Sequence, residues 1–169
     1  ADTGNHSIRR IASDATVTTV AGTGTPGLTN GPAATAQFNS PQGVALATDG
    51  TLYVADTGNH VIRRIAADGT VSTLAGTGSA GYQDGAGALA QFNMPRSLVL
   101  RSDGVLIIGD EGNARLRTVN PTDGTVATLA GTGTPGFQDG PAATAQFGSL
   151  AGLALDATGI IYIADAANQ

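Results

Sequence analysis

The chain has 169 residues, 25 of them glycine, with no cysteine, no tryptophan and a formal charge of −5 at neutral pH. Without cysteine there is neither a disulfide staple nor a thiolate metal site, and the redox compartment stays undetermined. No run approaches the roughly 18 apolar residues of a membrane-spanning helix, and an acidic chain without basic clusters disfavours nucleic acid, whose affinity comes from Lys and Arg set against phosphates.

The chain opens with ADTGNHSIRRI and a turn at Asp14-Ala15, which predicts strands near 6–12 and 16–21. A glycine-rich linker, AGTGTPGLTNGPAATAQF, occupies 21–38. GVALATDGTLYVAD at 43–56 then sets two short apolar runs around Asp49-Gly50, a dipeptide that supplies the positive φ of a tight hairpin. HVIRRIAADGTVSTLAG repeats that pattern around Asp68-Gly69. Four strands follow, A (near 43–47), B (51–56), C (60–66) and D (70–75). The linker returns at 75–92 and 130–147, and the turns return at Asp103-Gly104, Asp123-Gly124 and, in weaker form, Thr158-Gly159. The last two strands are predicted near 151–156 and 160–165.

Ala1, Ala55, Gly109 and Ala164 stand in register, dividing the single segment 1–169 into repeats 1–54, 55–108 and 109–163 and the start of a fourth at 164–169. Pro121 sits in the one-residue insertion of the third copy. A unit of this size cannot bury its own faces and must stack on neighbours. A four-stranded antiparallel meander repeated along a chain predicts an all-β β-propeller, with each unit a blade. Runs such as LIIG and LYVA are apolar on both faces, as befits sheets sandwiched between sheets. A β-helix or a helical repeat fits less well, because β-helix coils are shorter and glycine turns interrupt any 3.6-residue period.

PQGVALATDGTLYVADTGNHVIRRI resembles the NHL repeat, its signature triplet standing here as Asn59-His60-Val61. The linker GTGxxGxxDGxxxxAQF is similar to that of the long-unit NHL repeats of many bacterial proteins. The resemblance covers all three copies and implies a six-bladed propeller. Copy three departs from it, with Gly109-Asp110-Glu111-Gly112-Asn113-Ala114 in place of ADTGNH and Leu150 in place of the proline at 41 and 95.

In strand letters the order is C-D, A-B-C-D twice, then A-B: three blades per chain, of which two are complete. A three-bladed ring lies below the usual range of about four to eight blades. The expectation is therefore a half-propeller that closes as a six-bladed homodimer, in which N-terminal strands C-D and C-terminal strands A-B of two chains share a blade. A nine-bladed trimer and a fragment lacking its other half are the alternatives. The absence of an initiator Met and the cut at a blade seam suggest a processed, truncated or engineered piece; its compartment is unknown, though bacterial NHL relatives are often exported.

Asp2, Asp56, Asp110 and Asp165 align at the ends of B strands, and Arg9, Arg63 and Arg117 align on C strands. The bland reading has the aspartates cap the following turn, with Gly58 and Asn59 in left-handed conformation, and has the arginines bridge to those aspartates. The sharper readings, a ring of cation-binding carboxylates or an arginine site for a carboxylate ligand, fit no dedicated spacing. His6 and His60 lack a third donor for a metal, so no metal, cofactor or catalytic residue is assigned. Gly22-x-Gly24 and its copies lack a P-loop's helix and Lys-Ser/Thr and read as blade-linking turns. Phe38, Phe92 and Phe147 are expected to plug the gaps between blades.

Linkers and B-to-C turns should share one face of the disk, the Asp-Gly hairpins the other. Binding falls by default on the linker face and channel mouth, with Asn59, His60, Leu28, Tyr82 and Phe137 as candidate contacts. The functional expectation is a non-enzymatic scaffold that binds itself and a protein, peptide or glycan. The enzymatic alternative, implied by resemblance to other six-bladed propellers, is a metal-dependent lyase or lactonase.

Overall fold

A computed structural model describes residues 1–168, in which thirteen strands form four antiparallel sheets. β1 (Ile8–Ile11) pairs only with β2 (Val17–Ala21). β4 (Gly43–Leu46), β5 (Leu52–Asp56), β6 (Val61–Ile65) and β7 (Thr70–Ala75) form a meander, with β3 (Gly31–Pro32) added outside β7. β8 (Pro95–Leu100), β9 (Leu106–Asp110), β10 (Arg115–Val119) and β11 (Val126–Ala130) form the next meander, and β12 (Leu150–Leu155) pairs with β13 (Ile161–Asp165). The all-β antiparallel architecture is the one expected from the sequence.

Each hairpin has the same local cause. The Asp49 carboxylate accepts the amide of Thr51 at 2.9 Å while Gly50 takes φ +86°; an aspartate that bonds its own backbone two residues on, followed by a residue free to enter positive φ, closes the turn. Asp14, Asp68, Asp103 and Asp123 make the corresponding bond, while in the last hairpin Asp156, three residues before Gly159, accepts the amides of both Thr158 and Ile160.

Two local expectations need correction. A single 3-10 turn precedes each of β1, β6 and β10 (Thr3–Asn5, Thr57–Asn59, Glu111–Asn113), and the aspartate before it makes no side-chain capping bond to it. The left-handed residue is not Gly58 or Asn59 but the position after them, occupied by His6, His60 and Ala114 with φ of 49°, 57° and 47°. The long linker, read as a loop, also contributes sheet structure: Gly31 pairs with Val71, and Gly85 bridges to Val126 in the next unit. A linker thereby covers the outer edge of the sheet that follows it.

The core lies between sheets rather than within any one of them. Ile8, Ala21, Phe38, Val54, Ile65 and Val71 pack between the β1–β2 pair and the five-stranded sheet. Tyr53, Ile62, Phe92, Leu98, Ile108 and Val126 fill the space between the two large sheets, and Ile107, Leu116 and Leu150, with Phe147 against them, fill the third interval. The three linker phenylalanines thus occupy successive intervals as expected, and full burial of such a ring stabilises by about 1.5–3 kcal/mol. β4 packs on β8 and β8 on β12, so the first strand of each meander lies at the hub and the linkers lie at the rim.

Candidate functional site

The aligned arginines sit at β-bulges. Register slips between Ile8 and Arg9, Ile62 and Arg63, and Leu116 and Arg117, and such a bulge re-aims one side chain. Arg63 and Arg117 turn inward and are wholly buried. Arg63 Nη1 donates to Asp56 at 2.9 Å and to the Gln37 carbonyl at 2.9 Å; its Nη2 donates to the Thr29 carbonyl at 3.0 Å and to Asn30 Oδ1 at 2.8 Å. Arg117 repeats the set with Asp110, the Gln91 and Gln83 carbonyls, and the Asp84 carboxylate. Each guanidinium also lies over the linker phenylalanine, Phe38 at 5.0 Å and Phe92 at 5.2 Å from the ring centre. Arg63 Nε alone has no partner.

Burial pushes the Asp56 and Asp110 carboxyls above the usual carboxylate value, and the bonds from the asparagines and the arginine pull the other way. Burial also lowers the Arg63 guanidinium from its ordinary value. An arginine does not surrender its proton in a protein, so each pair stands as a buried ion pair. Apart from the buried Arg63 Nε, these groups are bonded to the scaffold, and all of them lie out of reach of a ligand.

The aspartates tie the linker's end to the sheet. Asp56 accepts the amide of Asn39 at 2.7 Å, Asp110 that of Asn93 at 2.8 Å, and Asp165 those of Gly148 and Ser149, both at 2.8 Å. Asn59 Nδ2 donates to Asp56 and to the Gly27 carbonyl, so this candidate contact is spent on the fold. His60 Nδ1 accepts the Met94 amide at 3.0 Å, as His6 accepts that of Ser40. With Nδ1 engaged, Nε2 is the nitrogen of the half-buried His60 ring that remains for other contacts. Where Ala114 replaces the histidine, the Ser149 amide turns to Asp165 instead.

Leu28, Tyr82 and Phe137 are exposed on the rim. Tyr82 stacks on Arg115 at 3.9 Å and bonds Thr128 through its hydroxyl at 2.8 Å; Leu28 lines a shallow depression with Leu74 and Ala88; Phe137 is 74% exposed. They lie on separate repeats and do not converge.

A different group does converge, outside the residues that the sequence marks as candidate contacts. Arg96, on hub strand β8, donates to Glu111 at 2.8 Å, and the Ser149 hydroxyl donates to the same carboxylate oxygen at 2.6 Å. Two of these three break the repeat, Arg96 standing where other copies have Gln42 and Ala151, and Glu111 where they have Thr57 and Ala166. The departure at Glu111 was the available signal. The group is partly exposed, at the end of the hub where the 3-10 turns lie. Among the described residues no cluster of His, Asp and Glu suits a metal ion, and no helix is long and apolar enough to cross a membrane.

The NHL repeat family matches residues 38–65. NHL repeat-containing protein 2 of Homo sapiens is 42% identical over 89 residues, covering 52% of this chain and 12% of that protein. Among solved structures, an auxiliary nutrient binding protein from Bacteroides thetaiotaomicron aligns over 96% of this chain and 41% of its own, with TM-score 0.72 and 20% identity. Virginiamycin B lyase from Staphylococcus aureus aligns over 98% and 44%, with TM-score 0.58 and 13% identity. The last two likenesses are of fold alone, and the chain spans about an eighth of the human protein's length.

Proposed function

The chain is a run of NHL-repeat β-propeller blades, and from that premise we propose that it is a non-enzymatic binding scaffold which completes its ring by joining a second copy of itself. The carrying observation is the uneven burial of equivalent positions. Ile11 is 72% exposed where Ile65 and Val119 are 2% and 0%, and Tyr162 is 56% exposed where Tyr53 is 7%. Ile11 and Tyr162 lie on the two-stranded sheets at opposite ends of the stack, each of which lacks the strands that bury its counterpart. Bare strand edges with apolar faces seek pairing, and the β1–β2 pair and the β12–β13 pair are the two missing halves of one meander.

The ligand surface in this reading is the linker face at the hub, centred on Arg96 and Glu111, where a charged pair open to solvent can exchange its internal bond for bonds to a peptide or glycan. The nutrient binding protein of similar fold supports that reading; the lyase of similar fold supports the enzymatic alternative.

Light scattering in dilute solution decides the assembly. Twice the 16.6 kDa chain mass is expected, three times that mass would mean a nine-bladed ring, and a compact single copy overturns self-assembly. Metal analysis after chelator-free purification, followed by melting with and without EDTA, tests the enzymatic alternative: stoichiometric metal with loss of stability on chelation would favour it.

A further inference from the structure

We propose that the seam between two copies is keyed by Arg9, which leaves Asp2 of its own chain and enters a preformed acceptor cage made by the partner's Asp165 and the partner's Asp139. This inference rests on the self-assembly reading. Arg63 and Arg117 show what the repeat demands of this position: a carboxylate at the end of the neighbouring strand, two linker carbonyls, and an oxygen acceptor on the residue before the linker's bridging glycine. For the third linker those acceptors are Asp165, the carbonyls of Gln138 and Gln146, and Asp139. Among the described residues no guanidinium bonds to any of these four, and Gln138 and Gln146 already hold the bridge that Gln83 and Gln91 make around Arg117.

Arg9 is the guanidinium without a cage. Its side chain is 41% exposed and its one ion pair is with Asp2 at 3.1 Å. Asp2 pairs with Ser7 at the edge of β1, as Asp56 pairs with Val61, so it fills the place that the partner's Asp165 must take. Bonding decides which aspartate yields. Asp165 is anchored by the amides of Gly148 and Ser149, and by Asn168, which also reaches the Gly136 carbonyl. Asp2 receives side-chain bonds only from Asn5 and Arg9. The N-terminal pentad is therefore a weak internal competitor for the seam.

The remaining edges agree in register. By the pairing of β5 with β6, β13 lies against the partner's β1 with Ile163 opposite the partner's Arg9 and Tyr162 opposite the partner's Arg10. By the pairing of Gly31 with Val71 and Gly85 with Val126, Gly140 bridges to the partner's Val17. Gly140 already has φ +145°, in the same positive region as Gly31 at +122° and Gly85 at +119°.

The test measures dimer dissociation by sedimentation for the full chain and for Arg9→Gln, Asp139→Asn, Asp165→Asn and Asp2→Asn, with melting curves to monitor folding. Removing one partner of a desolvated charge pair weakens association by about 30-fold or more, the loss expected for Arg9→Gln and Asp165→Asn. Asp139→Asn, on an exposed linker residue that leaves the monomer fold untouched, is expected to weaken it less, since Asn30 serves as acceptor in the equivalent place. Asp2→Asn is expected to leave dimerisation unchanged or tighter. If the wild-type chain dimerises and Arg9→Gln dimerises equally well, or if Asp2→Asn weakens as much as Asp165→Asn, the key is wrong and self-assembly stands. A wild-type chain that stays single overturns both.

Discussion

Arg63 and Asp56 meet at 2.9 Å with neither side chain exposed to solvent, seven residues apart in sequence and reaching diagonally between neighbouring strands on which Arg63 stands opposite Val54 and Asp56 opposite Val61. The same pair recurs as Arg117 and Asp110 at 2.8 Å, so each meander carries one buried ion pair where its second and third strands meet the incoming linker. Loss of one partner leaves the other charge buried and alone.

Arg63→Ala and Asp56→Ala should each cost about 3–5 kcal/mol, the usual consequence of breaking a buried pair from one side. Urea unfolding checks this. Replacing both with apolar residues of similar volume should cost less than the two single losses together. A single substitution that proves silent would mean the pair is solvated in the native protein.

Position 60 combines a left-handed backbone with a bond across to the next sheet. His60→Ala removes the acceptor for the Met94 amide, and because that bond is open to water, which can replace it, the loss should be about the 0.5–1.5 kcal/mol net worth of one hydrogen bond. His60→Val adds a β-branched side chain at φ 57°, where such residues are outliers, and should melt lower than His60→Ala. His60→Asn, tolerant of this conformation, should retain most of the stability. The order of the three melting temperatures is the measurement.

Gly76 has φ +109°, and a Cβ there would lie 2.8 Å from the His60 carbonyl oxygen and 2.9 Å from the Val61 Cα. Both neighbours are backbone and cannot swing aside. Gly76→Ala is expected to destabilise by at least 1–3 kcal/mol, the approximate cost of a strained backbone residue, in chemical denaturation. Gly104→Ala, at φ +87° with open space around its Cβ, carries the conformational penalty without the clash and should cost less.

Asp103 supplies a pH dependence of known sign. The Arg101 guanidinium and then the Val105 amide hold its carboxyl down at about 2, against an ordinary 3.8. A depressed carboxyl stabilises the fold above its unfolded value, and that stability is lost as pH falls through the folded one. Between about pH 4 and pH 2 the wild-type melting temperature should therefore fall more steeply than that of Asp103→Asn. Asp56 and Asp110, raised by burial, contribute with the opposite sign, and a comparison confined to Asp103→Asn cancels them.

Much of the local structure was legible because it is local. Asp49-Gly50 carries its turn in the aspartate's bond to Thr51 and the glycine's positive φ, with no need of the rest of the chain. The pairing of aligned arginines with aligned aspartates was likewise readable, since a repeat places the same two residues on adjacent strands every time. The left-handed residue was misplaced by one or two positions, because glycine is the default expectation for positive φ and the structure instead gives that place to His60, whose ring then reaches Met94. β3 was missed because a two-residue strand has no period, and its pairing with β7 depends on a contact about 40 residues away in sequence. Arg96 and Glu111 come together only when one sheet's hub strand is set beside its 3-10 turn; the departure from the repeat at Glu111 marks the position, but its partner is set by the fold.

The sequence by itself determined an all-β chain of repeated four-stranded meanders with NHL character, because hairpin chemistry and a two-faced apolar pattern act over a few residues and are copied from unit to unit. Only the tertiary structure decided which equivalent positions are buried and which stand bare. Burial here is conferred by the neighbouring sheet and by the linker that crosses its edge, so Ile11 and Ile65, alike in sequence and in their hairpin pairing to Val17 and Val71, differ in whether anything covers them.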